Sequence, residues 1–192
     1  MKTSLPTALL VLAFLAAACP AVAEQETEPQ ADPKPAPLTG GFDIQEVLTQ
    51  LEKTVGDRDW KRYGEFLTPD FRFTPYDAVV SSYPEVKWEE WDLLQEKTFI
   101  RHLTAPYNRA ALKLRGQIID RGQESHGRAE WDLVYTLVYQ GREFKSRAIF
   151  VFEKIDNLWF LREWIDTTIE YDKETRKALE TSGSLRAMLR KW

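Results

Sequence analysis

The sequence predicts an α+β domain, with helices first and an antiparallel sheet second. Three observations predict it. Apolar residues recur at helical spacing from Ile44 to Val55 and again between Trp88 and His102. Four consecutive segments between Ala111 and Thr167 alternate with period two and are rich in aromatic and β-branched residues. The breaks between them, Gly122-Gln123, Gln140-Gly141 and Asp156-Asn157, are turn material.

The elements follow in order. Residues 1–23 have the layout of a secretory signal: Lys2, an apolar run from Leu9 to Ala18, then Ala21-Val22-Ala23 before Glu24. The run is too short to span a bilayer. The chain is therefore expected to be exported, periplasmic or secreted. The rival reading is a membrane-anchored lipoprotein with Cys19 lipidated after Leu15-Ala16-Ala17-Ala18. The Ala-rich approach and Pro20 make that box poor. Residues 24–41 are rich in Pro, Glu and Gln and lack periodicity, as expected of a disordered linker.

Ile44, Val47, Leu48, Leu51 and Val55 place an amphipathic helix over 43–56, ended at Gly56. Asp57 or Asp59 can cap a second short helix carrying Trp60, Tyr63, Phe66 and Leu67, which Pro69 stops. Phe71-Arg72-Phe73-Thr74 reads as a short strand and Pro75 to Pro84 as a loop. A third helix over about 86–103 sets Trp88, Trp91, Gln95, Phe99 and His102 along one stripe.

The four strands are Ala111–Ile119, Arg128–Tyr139, Arg142–Lys154 and Leu158–Thr167. Tight turns set a register that can be written down. It places Lys113 opposite Asp132, Arg115 opposite Glu130 and Arg147 opposite Asp166 on one face. Each such pair is worth roughly 0.2–1 kcal/mol. On the other face it places Trp131 opposite Phe150, Leu137 opposite Phe144 and Phe152 opposite Leu161. Residues 171–192 read as a helical tail interrupted by Gly183. Its default role is packing over the domain, the alternatives being to bind a partner or to touch an anionic surface. Helices 43–103 must cover the apolar sheet face, because nothing else in the chain can.

The chain resembles the nuclear transport factor 2-like (SnoaL-like) superfamily over residues 42–167. The carriers are Gly56-Asp57 before the second helix, Leu67-Thr68-Pro69-Asp70-Phe71, and the ending Asn157-Leu158-Trp159-Phe160-Leu161-Arg162-Glu163-Trp164. The resemblance implies a curved sheet wrapped on helices, forming a cone with a pocket, in a domain over 42–170. It also implies dimers through the outer sheet face. Trp164 and Ile149 on that face would favour a homodimer. The superfamily contains isomerases, dehydratases, cyclases, epoxide hydrolases and members without catalysis, so the fold does not choose the function. Ketosteroid isomerase-like members place a carboxylate base just before the proline ending the first strand, where this chain has Thr74 before Pro75.

The written register leaves one carboxylate, Glu163, on the apolar face opposite Phe150. A carboxyl held there would titrate high and could act as a general acid or base, or simply satisfy a core partner. His102 and Tyr63 are candidates to complete a catalytic set with it. Trp60, Trp88, Trp91, Trp131, Tyr135, Ser146 and Phe150 are candidates to line a ligand pocket, although aromatic residues at these spacings are more often plain core. His126 near a turn is expected to be solvent-exposed. No metal-ligand spacing and no cofactor signature is present. Cys19 is the sole cysteine, so the domain lacks a disulfide or a thiolate nucleophile. The net charge of −4 carries no basic run, and nothing points to nucleic acid. Three functions are compatible with these residues. The first is an accessory domain, or one binding a small apolar ligand. The second is a lyase, isomerase or hydrolase using Glu163. The third is a partner-binding domain, which requires a filled cone.

Overall fold

A computed structural model describes residues 39–117, 127–169 and 181–190. The putting together of helices and sheet follows the predicted order. Asp43 caps α1 (Ile44–Gly56) by accepting from the Glu46 amide, and Ile44, Val47, Leu48, Leu51 and Val55 form its buried stripe. Asp59 caps α2 (Trp60–Tyr63), which runs through a short 3-10 turn into β1 (Leu67–Thr74). The segment expected as a loop contains a short helix, α3 (Asp77–Ser82). The third predicted helix is shorter than expected. Trp88–Glu90 form a 3-10 turn, and α4 (Leu93–Leu103) begins only at the Asp92 cap. Asp92 and Gln95 make a reciprocal capping box there, which outcompetes continuation from upstream.

The strands are β2 (Ala110–Gln117), β3 (Arg128–Tyr139), β4 (Arg142–Ile155) and β5 (Leu158–Ile169). The turns β3–β4 and β4–β5 carry positive φ at Gln140, Gly141, Asp156 and Asn157, as the mirror-image hairpin turns require. The sheet order is β1-β5-β4-β3-β2. β1 runs parallel to β5. The sheet is therefore mixed rather than purely antiparallel, because the predicted short strand joins its edge. The Gly122-Gln123 turn, Ile118, Ile119 and His126 lie outside the described residues, as do the signal and nearly all of the linker. At the end of the linker, Gly41 already pairs with Trp159, its amide donating at 2.9 Å. Among the described residues no helix is long and apolar enough to cross a membrane.

The register departs from expectation in two places. β2 pairs with β3 four residues from the predicted alignment, so Lys113 faces Thr136 and Arg115 faces Val134. An even shift keeps every side chain on its own face. It sets Leu112 opposite Leu137 and Leu114 opposite Tyr135. Apolar contact on the inner face outweighs exposed ion pairs, which contribute little.

The second departure matters more. Phe152 faces Leu161 and Trp131 faces Phe150 as predicted, but the β4–β5 ladder then breaks register between Val151 and Phe152. Val151 faces Glu163, and Phe150 faces Trp164. This bulge reverses the faces of β5 from Glu163 to Asp166, and a second shift between Ala148 and Arg147 sets Arg147 opposite Thr168. Trp164 and Asp166 enter the core, and Glu163 and Ile165 leave it. Arg147, expected opposite Asp166, instead makes a bidentate pair with Asp132 at 2.5 and 2.6 Å. The last element, α5 (Ser182–Leu189), is capped by Thr181 and packs against α4 and β4. Gly183 does not interrupt it. A Cβ there would sit 3.0 Å from Val79 Cγ1, so glycine permits close approach of α5 to α3.

Candidate functional site

The inner face of the sheet and the helices enclose an ionic cluster in an otherwise aromatic interior. The Asp92 capping box fixes the rotation of α4. Glu96 therefore shares its buried side with Phe99, Ile100 and Leu103. From α2, Tyr63 O–H donates to Glu96 Oε1 at 3.3 Å; from the preceding turn, Trp91 Nε1–H donates to Oε2 at 2.9 Å. From α5, Arg186 completes the carboxylate's shell with a two-pronged contact. Nε donates to Oε2 at 2.9 Å and Nη2 to Oε1 at 2.7 Å. Both side chains are essentially sealed from solvent.

The second carboxylate, Asp166, enters because of the bulge. Its Oδ1 accepts from Tyr135 O–H at 2.6 Å and from Trp164 Nε1–H at 3.1 Å. Ser182 lies one helical turn before Arg186, so both reach the interior from the same face of α5. Ser182 Oγ donates to Asp166 Oδ2 at 3.4 Å, accepts from Arg186 Nη1 at 2.8 Å, and is hydrogen-bonded to the Tyr135 hydroxyl. Aromatic faces close the remaining sides. The Arg186 guanidinium carbon lies 3.9 Å from the Phe73 ring centre, and 4.7 Å from those of Phe99 and Trp164.

Charge and burial set the titration of these groups. Burial pushes the Asp166 carboxyl up to about 6, against the lowering influence of Arg186 and of its three hydrogen-bond donors. Burial alone would lower Arg186, but the Glu96 carboxylate more than offsets this and its pKa rises. Burial and the neighbouring carboxylates, Glu96 and Asp166 respectively, hold the Tyr63 and Tyr135 hydroxyls well above their ordinary value. A carboxyl titrating near neutrality beside a tyrosine is equipment for acid–base chemistry. Here α5 covers it, and its acceptors are occupied.

The predicted catalytic residues are not brought together. Glu163 lies on the outer face with its side chain 31 % exposed, 3.9 Å from both Arg128 and Arg162. It does not face the aromatic interior, because the bulge turned it out. His102 sits at the end of α4, where Nδ1 donates to the Leu189 carbonyl at 3.1 Å. A carbonyl can only accept, which fixes that tautomer. Tyr63 serves Glu96. Of the predicted pocket-lining residues, Trp91, Tyr135 and Phe150 do border the cluster, and Ser146 is buried opposite Tyr135. Trp88 stacks on Trp91 with ring centres 5.4 Å apart. Trp60 lies at the surface under Lys61 and Arg101. Trp131 lines a separate shallow groove with Trp159 and Ile44.

Sequence reasoning missed Glu96, Trp164, Asp166, Ser182 and Arg186. Glu96 carried a signal: it lies three and four residues before Phe99 and Ile100, on the stripe those residues define. Counting Trp88 and Trp91 as helical sets the stripe one position out of phase, on Gln95 and His102 instead of Glu96 and Leu103.

An open groove of about 230 Å³ lies beside the cluster, between α4 and α5. Leu94, Gln95, Thr98, His102, Leu189 and Arg190 line it, together with the buried Trp91 and Phe99.

The NTF2-like fold fits this architecture, a five-stranded mixed sheet, not closed, packed against helices. No protein-family model matches the chain, and no curated protein matches it either. The chain is similar to solved structures. One is a variant of Rv3472, a protein of unknown function from Mycobacterium tuberculosis. It has a TM-score of 0.53 at 11% identity, over 77% of this chain and 82% of that one. Another is an NTF2-like protein of unknown function from Pseudomonas putida KT2440. It has a TM-score of 0.49 at 13% identity, over 71% of this chain and 91% of that one.

Proposed function

We propose that this chain is a non-catalytic binding domain whose ligand is a small apolar molecule seated in the α4–α5 groove. The observation that carries this reading is the division of space: α5 fills the cone, while an open, mostly apolar groove remains beside it. Leu94, 69 % exposed at its rim, extends the groove's apolar surface toward solvent. At about 230 Å³ the groove is smaller than the roughly 300–1,000 Å³ that drug-sized ligands need. An apolar cavity of about 150 Å³ accepts benzene, so one or two fused rings fit. Gln95 and His102 offer polar groups at the edge for orientation.

The test is titration with indole and naphthalene, followed by tryptophan fluorescence and native mass spectrometry. Saturable binding to the wild type, lost in Thr98→Trp, is expected. Binding that survives Thr98→Trp, or no binding at all, overturns the reading.

A second reading, partner binding through the outer sheet face, is favoured by the filled cone and by Val134, 45 % exposed between Lys113, Arg115 and Lys145. It includes the homodimer. The Trp164 argument for that dimer falls away, since Trp164 is buried. Sedimentation of Val134→Glu at micromolar concentration tests it. An unchanged oligomeric state in wild type and variant counts against it. An enzyme built on Glu163 has no support in the geometry, because its carboxylate faces outward beside two arginines.

A further inference from the structure

The receptor and the group it holds belong to separable parts of the chain. Glu96 and Phe99 come from α4, Tyr63 from α2, Phe73 from β1, and Trp164 and Asp166 from β5. Ser182 alone, among the groups that hold Arg186, comes from α5 itself. The body of the domain thus supplies a two-pronged carboxylate, already oriented by Tyr63 and Trp91, and aromatic faces on the remaining sides. Those are the recognition elements for a planar, delocalised cation, and they match guanidinium far better than a compact ammonium. The interior also carries two carboxylates for one cation.

The helix that delivers Arg186 has eight residues, too short to persist on its own. Its hold on the domain comes from Arg186, from Ser182 on Asp166 and Tyr135, from the Leu189 carbonyl on His102, and from buried Leu185, Ala187 and Leu189. We infer that the interior of the cone is a binding site for an alkylguanidinium cation, filled here in cis by Arg186. The site is distinct from the α4–α5 groove, with which it shares the Trp91 and Phe99 rings. The rival account is a structural ion pair only, in which Glu96 and Arg186 do no more than satisfy each other.

The experiment uses the full chain carrying Arg186→Ala, with ethylguanidinium as probe and ethylammonium at equal ionic strength as control. Thermal unfolding and the indole N–H resonances of Trp91 and Trp164 are followed. Ethylguanidinium should raise the unfolding midpoint saturably and shift those resonances, binding roughly tenfold more tightly than ethylammonium. The wild type should not respond at the same concentrations. The double variant Glu96→Gln/Arg186→Ala should lose the response, and Thr98→Trp/Arg186→Ala should keep it. That last comparison separates failure of this site from failure of the groove.

A ten-residue peptide of sequence 181–190, added in trans, distinguishes the source of the cation. Tighter binding than ethylguanidinium points to a helix-borne arginine; equal binding points to a free guanidino compound. If Arg186→Ala does not fold, Arg186→Gln replaces it, since glutamine removes the cation and keeps a polar side chain there. Equal response to the two cations, a response that persists without Glu96, or no response in either variant overturns the inference and leaves a structural ion pair only.

Discussion

Arg186 and Glu96 dominate at the scale of single residues. Each is buried and charged, so each is tolerable only with the other. Arg186→Met should cost on the order of 3–5 kcal/mol, because it strands the Glu96 carboxylate. Glu96→Leu/Arg186→Met should be markedly more stable than either single variant, and urea denaturation of the set measures the coupling. Asp166 makes a prediction in pH. Its folded pKa of about 6 lies above its unfolded value, so the native state binds the proton more tightly. The stabilisation is therefore full below about pH 4 and is lost as pH rises through about 6. Between pH 4 and 7 the unfolding free energy of wild type should fall relative to Asp166→Asn by on the order of 2–3 kcal/mol. Parallel pH curves would show that Asp166 does not titrate in the fold. Glu163→Gln, by contrast, should change stability by less than about 0.5 kcal/mol, as expected for a half-exposed side chain at long ion-pair distance.

The β4–β5 hairpin is the decisive element. Its turn, Asp156-Asn157, was legible, and so was the pairing of Phe152 with Leu161 on the turn's side of the bulge. A bulge two residues further along then exchanged the faces of Glu163 and Trp164. Deleting Arg162 should remove the extra residue and leave Val151 opposite Glu163 and Phe150 opposite Trp164 in an unbroken ladder, with Trp164 still inside. The expected result is a stability within about 1 kcal/mol of wild type, measured by urea denaturation. A loss of several kcal/mol, of the size seen when a large aromatic core side chain is removed, would mean that Trp164 is expelled. α5 is the other informative element. Its helical character is visible in the sequence, while Gly183 reads as a break there because its tight packing on Val79 is invisible locally. Gly183→Leu should lift α5 from α3, measured as faster amide exchange over 184–189 with the sheet unchanged.

At the scale of the whole molecule, protection should be layered. β3 and β4 lie inside the sheet and should exchange only through global unfolding. α5 sits on its surface and should open at lower free energy. Native-state hydrogen exchange should resolve two classes, and a single class would argue that α5 is integral to the folding unit.

By itself the sequence determined α1, the strand train, the faces of β2, β3 and β4, and the two hairpin turns flanking β4. These follow from short-range periodicity and turn stereochemistry, which need no knowledge of distant residues. Only the tertiary structure decided the parallel docking of β1 on β5, the bulge in β5, the rotation of α4 and the seat of Arg186. Each depends on a partner far away in the chain: Arg186 meets its carboxylate 90 positions earlier. No local pattern tells an arginine destined for solvent from one whose counter-charge waits inside the core.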